Sequence, residues 1–373
     1  MSALRARTTT HPRRRTGARR RVLIAGGGIA ALEALLAVHD LAGEHVALTL
    51  LSREREFAYR PMATAEPFGR GHAERIRLAE VAFDAAAELV HGELAAVDCA
   101  GRVAITRSGE RIGYDELLVA IGASREPALR RALTWTPDGD AAVFGGLLRD
   151  LEEGYVKQVA FVVPPDVEWS LPAYELALMT AREVWGMGQS DVELTVYTHE
   201  ATPLGLVGSR VTAELRRDLR AAGVRVRTGV CLEEDPQPPH RLILRPSGRE
   251  LTTAAIVALP RPVGPRLAWL PSDASGFLRT DRHGKVVGVE GVWAAGDAVA
   301  FPIKQGGVAA QQADAAAEAI AHAVGVDLEP RPFRPVLRAR FSGRYLSPYL
   351  SLLAGADQGD RAMRLGGRPV VAL

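Results

Sequence analysis

Arg21-Val22-Leu23-Ile24-Ala25-Gly26-Gly27-Gly28-Ile29-Ala30-Ala31 is the stretch that decides the fold. A short apolar run ending at glycine suits a parallel strand covered on both faces. Three glycines then break it, and Ile29 to Leu41 carries Ala and Leu at helical spacing. Val46 to Leu51 is a second strand-like run, so the whole reads as strand, glycine turn, helix, strand: a βαβ unit. Within it Gly26-x-Gly28-x-x-Ala31 matches G-x-G-x-x-G/A, whose glycines let the backbone turn tightly and approach a pyrophosphate at the positive end of the following helix. At the end of the second strand, where an acidic residue would hold ribose hydroxyls, the chain has Ser52, with Glu54 two residues on.

The length of 373 residues exceeds one small core and suits two domains. A hydrophobic fraction of 47% with 24% charged residues excludes disordered, collagen-like and multi-span membrane chains. The net charge of +2 is misleading, because the first 21 residues hold eight Arg and no acid. Without them 38 basic residues face 44 acidic ones, a balance of −6 that is no nucleic-acid groove. Residues 1–20 are therefore expected to be a disordered basic tail, and no nucleic-acid partner is expected. Arg19-Arg20-Arg21 before Val22-Leu23-Ile24-Ala25 imitates a secretory signal, but the glycines and Glu33 spoil it. The expected location is cytoplasmic. Cys99 and Cys231 stand 132 residues apart without CxxC or metal-ligand spacing, and no metal site is expected.

Further along, Ser52 to Arg77 reads as a long irregular loop, of the kind that touches ligands. Leu78 to Ala87 looks helical, Leu89 to Val97 and Arg102 to Thr106 look like paired strands, and Leu117 to Ile121 is an apolar strand ending at Gly122. A second βαβ pattern runs from Gln158–Val163 through a helix at Leu171 to about Trp185 and a strand at Val192–Tyr197. Val292 to Ala294 is a short strand ending in Gly296-Asp297, and Gln305 to Val324 is an Ala-rich helix. The fold class is thus α/β, with two Rossmann-like three-layer domains and a short C-terminal segment.

Tyr114-Asp115-Glu116-Leu117-Leu118-Val119-Ala120-Ile121-Gly122-Ala123 and Gly291-Val292-Trp293-Ala294-Ala295-Gly296-Asp297-Ala298 complete the pattern. With the glycine fingerprint they resemble the ordered blocks of the FAD-dependent pyridine nucleotide-disulfide oxidoreductase-like superfamily, from about Val22 to Val324. The resemblance implies a discontinuous FAD-binding domain, 21–150 with 266–326, around an NAD(P)-binding-like domain at 151–265, and a C-terminal interface segment at 327–373. It implies FAD as the cofactor, with Gly26, Gly28, Ala31, Ser52, Arg60, Pro61, Ala120, Gly122, Gly296, Asp297, Lys304, Gln305 and Gly307 around it. Asp297 would hold the ribityl chain, and the helix start at Lys304-Gln305-Gly306-Gly307 would face the flavin pyrimidine edge.

In the second βαβ unit the glycine fingerprint is missing, replaced by Val162-Val163-Pro164-Pro165-Asp166-Val167-Glu168-Trp169-Ser170-Leu171-Pro172-Ala173-Tyr174-Glu175. Proline has no N–H for a pyrophosphate and cannot make glycine's left-handed turns. This pattern is similar to the sulfide:quinone oxidoreductase branch rather than the type II NADH dehydrogenases, yet no cysteine stands where those sulfide enzymes keep one. The resemblance implies an oxidoreductase passing electrons from a small donor through flavin to an acceptor such as a quinone. Glu175 and Lys304 are the catalytic candidates, Glu175 as a proton relay and Lys304 as a counter-charge for reduced flavin; plain helix-end roles for both stay open. A FAD-binding protein with a sensing, non-catalytic role also stays open. The apolar stripe Tyr345, Leu346, Tyr349, Leu350, Leu352, Leu353 is either a homodimer or core contact, or a weak peripheral contact with the inner face of the membrane.

Overall fold

The computed structural model describes residues 19–60, 62–139, 141–237, 241–339 and 350–352. Its first unit is built on a parallel sheet of five strands, in the order Val292–Ala294, Glu116–Val119, Arg20–Ala25, Val46–Ser52, Glu88–His91. Alternation along the central strand sends Val22 and Ile24 to one face and Leu23 and Ala25 to the other, and all four are buried. The first face packs under helices Ile29–Ala42 and Gly306–Ala323, whose contacts are mostly alanines. The second packs on a three-stranded antiparallel sheet formed by Leu94–Asp98, Val103–Thr106 and Arg111–Gly113.

The second unit repeats that plan. Leu133–Thr134, Ala255–Ala258, Gln158–Val163, Glu193–Thr198 and Arg225–Arg227 form a parallel sheet in that order. Helices Ala141–Glu152, Leu171–Gly186 and Ser209–Ala221 cover one face. Leu129, Leu232 and Leu242 cover the other, the last two from an antiparallel sheet at Cys231–Glu234, Leu242–Arg245 and Arg249–Glu250. The crossing between units is a two-stranded ribbon, Ser124–Glu126 against Arg261–Val263. After the Gly306–Ala323 helix the chain returns over it, tied by Glu318 to Arg331 and by Gln311 to both backbone groups of Val336.

Four expectations are corrected. Leu89–Val97 is not one strand. Glu88–His91 joins the parallel sheet, Gly92 donates to Ser52 O at 2.9 Å, and only Leu94–Asp98 pairs with Val103–Thr106. The loop Ser52–Arg77 contains a hairpin, Glu56–Tyr59 with Glu74–Arg77. Arg20 belongs to the first strand, donating its N–H to His45 O at 2.9 Å, while the rest of the basic tail up to residue 18 lies outside the described residues. The boundary placed at 150 falls earlier, because Phe144, Leu147 and Leu151 of the Ala141–Glu152 helix are buried in the second core.

Phe144 is 2% exposed and meets Phe68 edge-on at 5.3 Å. Phe144→Ala is expected to destabilise the second unit by about 3–5 kcal/mol, the usual cost of emptying an aromatic core site. Thermal unfolding checks this, since the first transition should move to lower temperature; an unmoved transition would mean the helix is peripheral to that core.

Candidate functional site

The glycine loop is shaped by what lies under it. Gly26 has φ +136°, and a Cβ there would overlap the carbonyl of Ala120. Only glycine lets the first strand end so close to the neighbouring strand, whose Ala120 N–H donates to Ala25 O at 2.8 Å. Gly28, by contrast, has open space where its Cβ would be. It caps the Ile29–Ala42 helix with no side-chain hydrogen bond, and the first turn carries no acid. The positive end of this helix is thus uncovered by the protein's own groups. Ala31, fully buried, lets helix and sheet close together, and Gly122 turns the chain at φ +76° just past the adjacent strand. Ser52 is 2% exposed, and its Oγ accepts the Glu54 N–H at 3.2 Å.

The Gly296-Asp297 turn stands over the same loop. Gly296 has φ +75°, and a Cβ there would lie 2.9 Å from that of Ala30. Its N–H donates to Gln312 Oε1 at 2.8 Å. Burial pushes the Asp297 carboxyl up, against the pull of Arg125 and Lys304. An Arg125 guanidinium nitrogen stands 3.9 Å from Asp297 Oδ2. Lys304 donates to the carbonyls of Asp297 at 3.0 Å and Val299 at 2.6 Å, and its ammonium lies 3.8 Å from the centre of the Phe277 ring. Burial brings its pKa down to about 8. Lys304 therefore fastens the turn as well as charging it. Gln305 caps the next helix by accepting the Val308 N–H at 2.9 Å, packed beside Gly307.

The loop after Tyr59 adds unmatched polar atoms. Arg60 pairs with Glu66, yet Tyr59 OH, Arg60 Nε and Glu66 Oε1 are buried with no hydrogen-bond partner among the described residues. Such clustering marks a place where a further polar group is accommodated. Pro61 lies outside the described residues. Thr64, from the same loop, donates to Glu175 Oε2 at 2.9 Å, and both side chains are buried. This bond joins the first unit's loop to the first turns of the second unit's Leu171–Gly186 helix.

In the second unit the Pro164-Pro165 turn closes by a Val167 N–H donated to Pro164 O at 3.1 Å. Ser170, the cap of the following helix, makes no cap hydrogen bond and donates to Glu200 at 2.9 Å. Glu200 also accepts from Tyr174 OH at 2.6 Å, Thr198 Oγ1 at 2.9 Å and the Leu204 N–H at 2.9 Å. It sits two residues past the second strand of its βαβ unit, the place at which an acid would receive a ribose, but its lone pairs are taken by protein donors. Burial and the neighbouring Glu200 carboxylate push the Tyr174 hydroxyl well above its ordinary pKa, so it stays a donor.

The structure thus brings Gly26, Gly28, Ala120, Gly296, Asp297, Lys304 and Gln305 to one end of the first sheet, and sets Glu175 across the unit boundary from them. Sequence reasoning missed Arg125, Thr64, Gln312 and Glu200. Glu200 alone had a local signal, its place after the second strand; the other three act through contacts between distant segments.

No protein-family model matches the chain, and no curated protein matches it. Solved structures do. The chain is similar to the sulfide:quinone oxidoreductase of the hyperthermophilic bacterium Aquifex aeolicus, with 21% identity, 86% of this chain and 81% of that one covered, and a TM-score of 0.76. A ferredoxin reductase of Rhodopseudomonas palustris matches at 19% identity over 86% of this chain and 80% of that one, with a TM-score of 0.63. A NAD-dependent persulfide reductase from A. fulgidus matches at 17% identity over 87% and 62%, with a TM-score of 0.59. These likenesses show a shared fold.

A lysine whose pKa falls on folding is protonated more readily in the unfolded chain, so it contributes stability that rises with pH between about 8 and its ordinary value near 10.5. The melting temperature of the wild type is therefore expected to climb relative to that of Lys304→Met between pH 7.5 and 10. A constant difference would show that Lys304 is not desolvated.

Proposed function

We propose that the chain is a FAD-dependent oxidoreductase, passing electrons from a small donor to an acceptor such as a quinone. The observation that carries this is the convergence of the Gly26–Gly28 loop, with its uncovered helix end, on the Asp297 turn. The fit is supported by the space at Gly28 and by the unmatched atoms of Tyr59 and Arg60. The fold is shared with structures described as a sulfide:quinone oxidoreductase and a ferredoxin reductase, which favours redox chemistry.

In this reading the backbone N–H groups from Gly28 onward would receive a pyrophosphate, and Asp297 would accept from a ribityl hydroxyl. Bound there, the flavin would supply reversible two-electron transfer. Lys304 and the helix start at Gln305 would hold positive potential near the pyrimidine edge. Glu175, held by Thr64, would take up or return a proton. The Pro164-Pro165 turn and the occupied Glu200 support a donor other than NADH, because neither offers a pyrophosphate amide or a free ribose acceptor. The place of action we propose is the cytoplasm, in peripheral contact with the inner face of the membrane. No described helix is long and apolar enough to cross one.

The visible spectrum of the purified full-length chain tests this. We expect a flavin band, at least tenfold weaker in Asp297→Ala protein of unchanged fold; full flavin occupancy in that variant would overturn the assignment. Under anaerobic conditions NADH should leave the band in place while dithionite bleaches it. Bleaching by stoichiometric NADH would sink the proposed exclusion of nicotinamide.

A further inference from the structure

A cavity of about 420 Å³ lies behind the Asp297 turn, between the segment Arg279–Val287 and the Gly306–Ala323 helix. Its size falls within the range of small-molecule sites. One wall is aromatic: Phe301 and Phe333 meet edge-on, centroids 5.3 Å apart, and the Phe333 N–H donates to Arg282 O at 2.7 Å, closing that wall against the hairpin. The mouth carries two guanidinium groups, Arg279 and Arg282, both exposed and neither in an ion pair among the described residues. Asp281 also lines the cavity, but its Oδ1 is engaged by the N–H groups of His283 at 2.8 Å and Lys285 at 3.0 Å.

The floor supplies the deciding observation. Gln312 lines the cavity and is 7% exposed. Its Oε1 is committed to the Gly296 N–H, which fixes the amide orientation, and its Nε2 has no hydrogen-bond partner among the described residues. A side-chain amide buried to this degree and half-satisfied is expected to donate into the space it lines. The cavity therefore offers the Gln312 side-chain amide, paired aromatic rings along one side and two planar cations at the mouth. Guanidinium groups favour carboxylates through paired hydrogen bonds, and aromatic walls favour flat apolar bodies.

We propose that this cavity is a binding site for a small aromatic carboxylate, held at the mouth by Arg279 and Arg282 and touched within by Gln312. The site meets the proposed flavin cradle only through Gln312, which lines the cavity and holds the Gly296 turn. It reaches that cradle through one hydrogen bond, Gln312 to Gly296, one residue from Asp297. A ligand accepting from Gln312 Nε2 restrains the amide whose oxygen holds the Gly296–Asp297 turn, so occupancy of the cavity and order of the turn are linked, and the linkage is reciprocal.

Calorimetric titration of the full chain with 2-naphthoate tests this without reference to flavin. We expect binding with a Kd between about 10 µM and 1 mM, the span reached by ligands of this size. The neutral 2-naphthamide should bind at least tenfold more weakly. Arg279→Gln and Arg282→Gln, both at exposed positions, should each weaken naphthoate by about tenfold and leave naphthamide unchanged. Gln312→Glu keeps an acceptor for the Gly296 N–H while replacing the inward donor with a negative charge, and should abolish naphthoate binding. Hydrogen exchange of the segment 294–300 should slow when naphthoate is present. Absence of binding, equal affinity for acid and amide, or indifference to both arginine substitutions would each overturn the proposal, whatever the flavin content of the protein.

Discussion

The site depends on how closely two helices approach each other. Ile29–Ala42 and Gly306–Ala323 meet through Ala30, Ala31, Ala34, Ala309, Ala313 and Ala316, all buried, so their axes are held apart by little more than methyl groups. Gly296 sits against that seam, where one added carbon would press on Ala30. Overpacking of this kind costs about 1–3 kcal/mol, and the left-handed conformation adds further cost for any residue with a Cβ. Because the helices are this close, the uncovered end of one lies beside the Asp297 turn that leads into the other. Wider side chains in the seam would separate the two halves of the cradle.

The two units show which parts of such a fold are needed for architecture and which for ligand. Both have five parallel strands, helices on one face and a three-stranded antiparallel sheet on the other. Burial of strands such as Ala160-Phe161-Val162-Val163 holds the second sheet without help from its first turn. The turn therefore needs no glycines for the sheet to hold, and Pro164-Pro165 closes it with one backbone hydrogen bond. Glu200, two residues past the second strand, gathers Ser170, Tyr174, Thr198 and the Leu204 amide, tying turn, helix and strand together.

Local periodicity and punctuation made much of this legible in advance. The strand–glycine–helix unit at Arg20–Ala42, the Pro-rich turn and the Ala-rich helix after Gln305 all carry their signal within about twenty residues, and they fold where the pattern puts them. The helix Ala141–Glu152 was not legible, since Gly145-Gly146 at its centre reads as a turn. Its three apolar anchors acquire meaning only against the second core. Nor was the break at Gly92 visible, because the Leu51 side chain and Thr106 that crowd it come from other strands. Arg125, Thr64 and Gln312 were beyond reach for the same reason: each is an ordinary polar residue whose partner lies 111 residues away for Thr64 and 16 for Gln312.

The inter-unit ribbon brings a second cation to Asp297. Desolvation works against the charged form of Asp297, and two cations work for it, one from each side. Lys304 is local, seven residues on, and is itself desolvated enough to be a weakened cation near pH 8. Arg125 comes from the ribbon, whose other strand anchors the Pro-rich turn through Arg261 and Asp166 at 2.8 Å. At 3.9 Å the Arg125 contact is loose, so it biases the carboxylate without occupying its lone pairs. Asp297 in the first unit thus meets cations without accepting a hydrogen bond among the described residues, whereas Glu200 in the second is fully coordinated. Under the proposed function, that contrast, more than the presence or absence of glycines, separates the end that would receive the cofactor from the end that has closed over its own groups.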